Sequence, residues 1–358
     1  MSPRNALQKG PNKRIIRLAS RKIWSLIAFL PFVAFGFAYP VAFGGQPAGM
    51  DGKDIPVVAM QLPEFKRGEG LVFGKLEYLG GIVVATKKGE MGAVSSIRVL
   101  DGGARFISVM DTGHWATGTI IRDANGKISG VKDYRISEIL DAAGTAADHK
   151  DNVDAEGMAI DGDRVYVSFE RTHRINAYPL PGFENVQPID TQLPVLAKGD
   201  RLRGNGGLEA LLKSPDNGPL AGALVFVAER SYNDQGNFIA GVQSGPKKGP
   251  FYVERLAPYD VTDGVFLDDG RFLLVERKFG LKDGIGMRIR AFSAANIEPG
   301  ATVKGETLME ADFSHQIDNM EGLDAYKAAD GSTRLIVVSD DNHSLLERNL
   351  MLEFKLLP

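Results

Sequence analysis

One pattern recurs five times in this chain and restricts what it can fold into: a short apolar strand, an Asp/Gly/Asn turn, then a longer strand ending in charge. The copies are SSIRVLDGGARFISVMD, AEGMAIDGDRVYVSFER, GLEALLKSPDNGPLAGALVFVAER, VTDGVFLDDGRFLLVERK and MEGLDAYKAADGSTRLIVVSDD. Their second strands begin at Arg105, Arg164, Ala223, Arg271 and Arg334, at steps of 59, 59, 48 and 63 residues. Each hairpin is rich in β-branched and aromatic residues. A hairpin cannot bury its apolar face alone, so units recurring at this interval are the blades of a ring or the rungs of an array. The steps are slightly longer than the ~40–50 residues of a four-stranded propeller blade.

Further strand material follows the hairpins: TGTIIRD with KISGVKDYRI, then RINAYPL, then NFIAGVQ with FYVERLA, then MRIRAFS with ETLMEADF. The last unit has only LMLEFKL behind it, while FGKLEYLGGIVVATK precedes the first unit with no assigned partner. An N-terminal strand that completes the final blade closes the ring and removes the open edges of a linear array. The expected fold is therefore all-β, a single β-propeller of five or six four-stranded blades closed by an N-terminal strand. A divergent sixth blade would have to lie in 137–155 or 180–207; a pair of β-sandwiches is the alternative fold. Helix is expected only as short pieces at 136–143 and 345–348.

The 42 glycines and 18 prolines suit frequent tight turns, and 44% hydrophobic with 24% charged residues suits a folded core. A net charge of -3 leaves no basic field to hold a polyanion, so nucleic acid is not an expected partner. The chain has no cysteine, which excludes disulfides, thiol nucleophiles and Cys-ligated zinc. At the N-terminus Arg4, Lys9, Lys13, Arg14, Arg17, Arg21 and Lys22 precede the apolar run SLIAFLPFVAFGFAYPVAFG at 25–44. A basic segment followed by an apolar one reads as an export signal cleaved near 44/45, with an uncleaved anchor as the alternative. The chain thus divides into a signal at 1–44, an N-terminal extension at 45–70 and the propeller at 71–358. The protein is expected in the periplasm or secreted, with no stable membrane insertion once the signal is cleaved.

The repeat places an acid at the start of four first strands: Glu156, Glu209, Asp263 and Glu321. The second strands end in Glu170-Arg171, Glu229-Arg230, Glu276-Arg277 and Asp340-Asp341, and Asp111 closes the one in the first unit. First strands line a propeller's channel, so these groups gather at one mouth if the strands run in the same direction. Carboxylates that close together must be offset, either by Arg171, Arg230 and Arg277 in bidentate pairs or by a hard cation such as calcium on Glu156, Glu209, Asp263 and Glu321. Such a ring would serve equally as ion pairs fixing blade packing, as an anion-binding mouth, or as a hydrolytic site with a carboxylate base. Among the five histidines, His114, His173 and His343 fall near this mouth and are candidates for a general acid or base. The GNGG at 204–207 and DGDR at 161–164 read as turns. No nucleophile elbow, Walker loop, HExxH or EF-hand motif occurs.

The segments DNVDAEGMAI, RGNGGLEAL, FVAER, PYDVTDGVFLDDGRFLLVERKF, DNMEGLDAY and VVSDDNHSLLERNLMLEFKL resemble the phytase-like, "esterase-like activity of phytase", family of exported bacterial proteins, over roughly 70–356. The resemblance implies a β-propeller, an exported location, and hydrolysis of an ester or phosphoester. Calcium-dependent propeller phytases use clusters of acidic residues; this chain has such acids without their calcium motifs. On this reading Arg171, Arg230 and Arg277 hold an anionic group. Glu156, Glu209 and Glu321 hold a cation or activate water, and Asp340 or His343 assists proton transfer. The expected partner is a small anionic or ester ligand. Two other functions fit the same residues: a non-catalytic propeller that captures a ligand or protein partner, and a lactonase-like metal-dependent hydrolase.

Overall fold

The computed structural model describes residues 54–146, 150–280, 284–344 and 346–358. The expected signal or anchor at 1–44, the extension as far as 53, and His149 lie outside the described residues. Among the described residues no helix is long and apolar enough to cross a membrane.

Five antiparallel sheets account for almost all of the secondary structure. Blade 1 runs Val94–Leu100, Arg105–Met110, His114–Arg122 and Ile128–Glu138. Blade 2 runs Ala155–Asp161, Arg164–Phe169, Arg174–Pro179 and Asp190–Gln192. Blade 3 runs Leu208–Lys213, Leu224–Tyr232, Phe238–Val242 and Gly249–Val253, with Thr302–Val303 added in parallel at its edge. Blade 4 runs Asp260–Phe266, Arg271–Gly280, Gly284–Ser293 and Glu306–Asp312. Blade 5 takes Asn319–Lys327, Thr333–Asp340 and Asn349–Leu356 from the C-terminus and is completed by Leu76–Thr86 and Val57–Leu62.

The first strand of each blade touches the first strands of the blades on either side, and blade 5 returns to blade 1. That is a closed five-bladed propeller, with the ring joined by the N-terminal strand as expected. The second strands are buried on both faces, which is why they read as unbroken apolar runs rather than alternating ones. Five apolar clusters fill the five gaps between successive blades. Trp115, Met158 and Val167 lie between blades 1 and 2, for example, and Met287, Met320 and Leu352 between blades 4 and 5.

The ring has five blades rather than six: among the described residues, the stretches offered for a sixth hold loops, the single helical turn Lys150–Val153, the short strand Asp190–Gln192 of blade 2, and the adjoining ends of Ile128–Glu138 and Ala155–Asp161. The expected helix at 136–143 does not form: Ile136, Ser137 and Glu138 continue the outer strand of blade 1, paired with Ala116, Trp115 and His114. Sheet pairing and burial of Ile136 and Ile139 outweigh the modest helix propensity of SEILDAA. Nor is there a helix at 346–348.

Candidate active site

Every inner strand carries a β-bulge near its start. The pairing register skips between Val94 and Ser96, Ala155 and Met158, Leu208 and Ala210, Val261 and Asp263, and Met320 and Gly322. The skipped residues are Ser95, Glu156 with Gly157, Glu209, Thr262 and Glu321. A bulged residue has no cross-strand partner and its side chain is re-aimed, a device common beside active sites. At Gly157 the next inner strand comes so close that an added Cβ would lie 2.3 Å from the Glu209 carbonyl oxygen.

A second set of equivalent positions lies six residues beyond the start of each second strand: Asp111, Glu170, Glu229, Arg277 and Asp340. Together the two sets bring seven carboxylates and one guanidinium to the same end of the channel. Arg277 stands among the acids. Its Nη1 donates to Asn319 Oδ1 at 2.5 Å, and its Nη2 lies 3.1 Å from Glu321 Oε1 and 3.3 Å from Glu229 Oε1. Burial acts to lower the Arg277 pKa, but Glu321, Glu229, Glu209 and Glu156 more than offset it, and the guanidinium is held more firmly charged than usual.

The other two arginines lie further out. Arg171 pairs with Asp154 at 2.5 Å from an unusual backbone position, φ +57°. Arg230 pairs with Glu229 at 2.7 Å and Asp260 at 3.0 Å. Glu170 Oε1 accepts the N–H of Gly206 at 2.8 Å and that of Gly207, so the GNGG turn cradles an internal carboxylate. Asp340 accepts the Ala93 N–H. His343 is exposed at the rim, its N–H donating to Asp341 Oδ1 at 2.9 Å.

This crowding raises the carboxyl pKa values. Glu156 and Glu209 are pushed well above the usual carboxylate range by burial, then by their acidic neighbours. Burial takes Glu321 to about 8 against the pull of Arg277. It takes Glu170 to about 7 against the two glycine N–H groups, and Asp340 to about 6 against backbone N–H groups. Oxygens of Asp154, Glu156 and Glu170 come within 4.8 Å of one another. An all-oxygen, all-carboxylate set of that size suits a hard divalent cation such as calcium.

Two sequence-predicted residues stand apart from this cluster. Asp263 is fully buried deeper in the channel, with both oxygens taken by Arg98, Ser96 Oγ and the N–H groups of Gly264 and Leu323. The reason is the bulge: in VTDG it falls on Thr262, so Asp263 occupies the position of Gly157 and Gly322, not that of the glutamates. Glu276 faces the opposite side of its sheet, held by Arg288 at 2.7 Å and Arg290 at 2.8 Å. Counting six residues from Arg271 gives Arg277 as the counterpart of Glu170, a signal present in the repeat itself. Asp154 and Asn319, each two residues before a glutamate, Glu156 and Glu321, join the site without a motif to mark them.

A family model described as "Phytase-like: Esterase-like activity of phytase" matches residues 89–343. A search of the curated proteins finds no match. Among solved structures the chain is similar to an endo-arabinase from Bacteroides thetaiotaomicron, at 12% identity over 74% of this chain and 94% of that one, with a TM-score of 0.46. An α-L-arabinofuranosidase from Podospora anserina gives 9% identity over 78% and 97%, with a TM-score of 0.47. The aldose sugar dehydrogenase from Streptomyces coelicolor in its PQQ-bound form gives 12% over 84% and 99%, with a TM-score of 0.38.

Proposed function

Because the chain belongs to this phytase-like family, we propose that it is an exported hydrolase that cleaves an ester or phosphoester at the acidic mouth of its propeller. The observation that carries this reading is the crowding of carboxyl groups: seven of them ring Arg277, several with pKa values moved into the neutral range. Perturbed groups of this kind, collected in one channel, are where acid–base chemistry is done. Export is supported by the basic and apolar N-terminal segments.

Asp154, Glu156 and Glu170 would hold a divalent cation, with Glu209 beside them, and calcium fits their oxygens. A cation held there would supply Lewis acidity to the bond under attack and would make the attacking water easier to deprotonate. The chain's own residues divide the proton work by environment. Asp340, near 6, is ionised at neutral pH and takes a proton from the attacking water. Glu321, near 8, is protonated and gives a proton to the departing alcohol oxygen. The water oxygen bonds to the ester carbon or phosphorus as the bond to that alcohol breaks, and no other reactant is consumed. Arg277 steadies the oxyanion.

The test is metal analysis of the purified protein together with hydrolysis of p-nitrophenyl acetate and p-nitrophenyl phosphate, in calcium and in chelator. The expected result is bound calcium and chelator-sensitive turnover that Glu209→Gln loses. Turnover without a metal requirement would remove the cation from the mechanism. Absence of turnover on both substrates would leave a ligand-binding propeller.

A further inference from the structure

We propose that the ester cleaved at this mouth is uncharged and carries an apolar group, which lies on a shelf formed by Phe279 and Phe313 on the blade 4 rim. This rests on the hydrolase reading above and narrows it to a substrate class.

The shelf follows from strand register. Arg277 and Phe279 are two residues apart on one strand, so their side chains leave the same face, with Cα atoms ~7 Å apart. Phe279 pairs with Ile285 on the next strand. Gly286 pairs with Asp312 at the end of the outer strand, and Phe313 is the next residue, in the turn at that same end of the blade. Lower on this face Val275, Met287 and Ala311 are buried against blade 5, and Ile285 packs on the same core. At the rim the cover ends: Phe279 is 45% exposed and Phe313 82%. Two large exposed aromatic side chains thus stand on one rim, Phe279 two residues from Arg277 on its strand and Phe313 at the end of the outer strand.

Charge selects what lies on that surface. The ring holds seven carboxylates against Arg277, and the two outer arginines are engaged by Asp154, Glu229 and Asp260. All three arginines at the mouth are thus engaged by carboxyl groups, Arg277 by Glu229 and Glu321, so a phosphate dianion finds no free guanidinium to take up its charge, whereas an uncharged carboxylic ester needs none. An acyl chain or ring on the shelf would place its ester group beside Arg277 and Glu321.

The experiment measures kcat/KM for p-nitrophenyl acetate, butyrate, octanoate and phosphate in calcium, for the wild type and the Phe279→Ser/Phe313→Ser variant. Both phenylalanines are exposed, so the variant is expected to fold, and its thermal melt checks this. Six further methylenes partly covered by the shelf should favour octanoate over acetate by at least ~10-fold in the wild type. In the variant that ratio should fall to ~2. A wild-type ratio near one, an unchanged ratio in the variant, or phosphate as the best substrate would overturn the inference and leave the hydrolase standing. If no ester is turned over, the hydrolase reading fails, and calorimetric titration with N-octylacetamide judges the shelf alone. Binding at least ~5-fold weaker in the variant supports it, whereas equal binding or none overturns it.

Discussion

Arg98 and Asp263 reach each other across the propeller axis, guanidinium to carboxylate at 3.1 Å for both nitrogens, from blades that are not neighbours. Arg98 also donates to the carbonyls of Leu211, Gly264 and Leu323, so one side chain ties blades 1, 3, 4 and 5. The pair closes the channel below the acidic mouth. Beyond it lies a cavity of about 200 Å³ lined by Val99, Ile160, Leu212 and Val265, among others.

Removing one partner of a buried ion pair leaves an uncompensated charge, at a cost of roughly 3–5 kcal/mol. Asp263→Asn is therefore expected to lower the melting temperature by about 8 °C in a chain of this size. Calcium stoichiometry at the mouth should not change, because Asp263 has no oxygen to spare. Calorimetry and metal analysis on the same preparation decide this. Lost calcium with an unchanged melt would put Asp263 among the cation's ligands.

Arg277 holds Glu229 and Glu321 from the other side of the same ring. Arg277→Met should destabilise the fold by roughly 3 kcal/mol, again by leaving buried charge uncompensated. Adding Glu229→Gln should restore part of that loss, since the two changes remove opposite members of one pair and are not additive. A thermal double-mutant cycle measures the coupling. Strict additivity would mean that Arg277 stabilises the ring through Glu321 and Asn319 alone.

The raised carboxyls also fix the sign of a pH effect. Glu170 near 7 and Glu321 near 8 bind protons more tightly in the folded chain than in the unfolded one. Their contribution is complete below the unfolded value of ~4.3 and is lost as pH rises through 7 and 8. In chelator the melting temperature should fall between pH 5 and pH 8, by on the order of 5 °C. Calcium should reverse this at pH 8, because it replaces the lost protons. Asp312 and Asp330, both held near 2, act in the opposite sense only at lower pH and do not enter this window. A melt that rises from pH 5 to 8 in chelator would contradict the assignment.

The ring was legible in the sequence because second strands buried between blades must be apolar on both faces, as FISVM, VYVSF and LIVV are. The closing strand was legible because LMLEFKL lacked an outer partner that FGKLEYLGGIVVATK could supply. A bulge leaves no such trace. It adds one residue without changing composition, so VTDG and AEGM look alike although Thr262, not Asp263, takes the glutamate's position. The Arg98–Asp263 pair joins residues 165 apart in sequence through the channel centre, where no periodicity reports the contact. Glu138 was read as helical because propensity is local, whereas its pairing with His114 is set by the blade.

Asp340 and Glu321 give the sharpest kinetic expectation. Burial raises both, and Asp340 itself adds to the rise at Glu321, so the two values separate to about 6 and about 8. A base that must be ionised and an acid that must be protonated make a bell. Activity should climb through pH 6, hold near 7 and decline through 8. Asp340→Asn should remove the acid limb and lower kcat by roughly 10²–10⁴-fold. Glu321→Gln should flatten the alkaline limb instead. The measurement is kcat/KM for p-nitrophenyl butyrate from pH 5 to 9 in calcium, for all three proteins. If Asp340→Asn keeps both limbs, the base lies elsewhere in the ring, and Glu209 becomes the next residue to replace. If both variants lose only binding, with KM raised and kcat intact, then these carboxyls position substrate and the proton transfers belong to other groups.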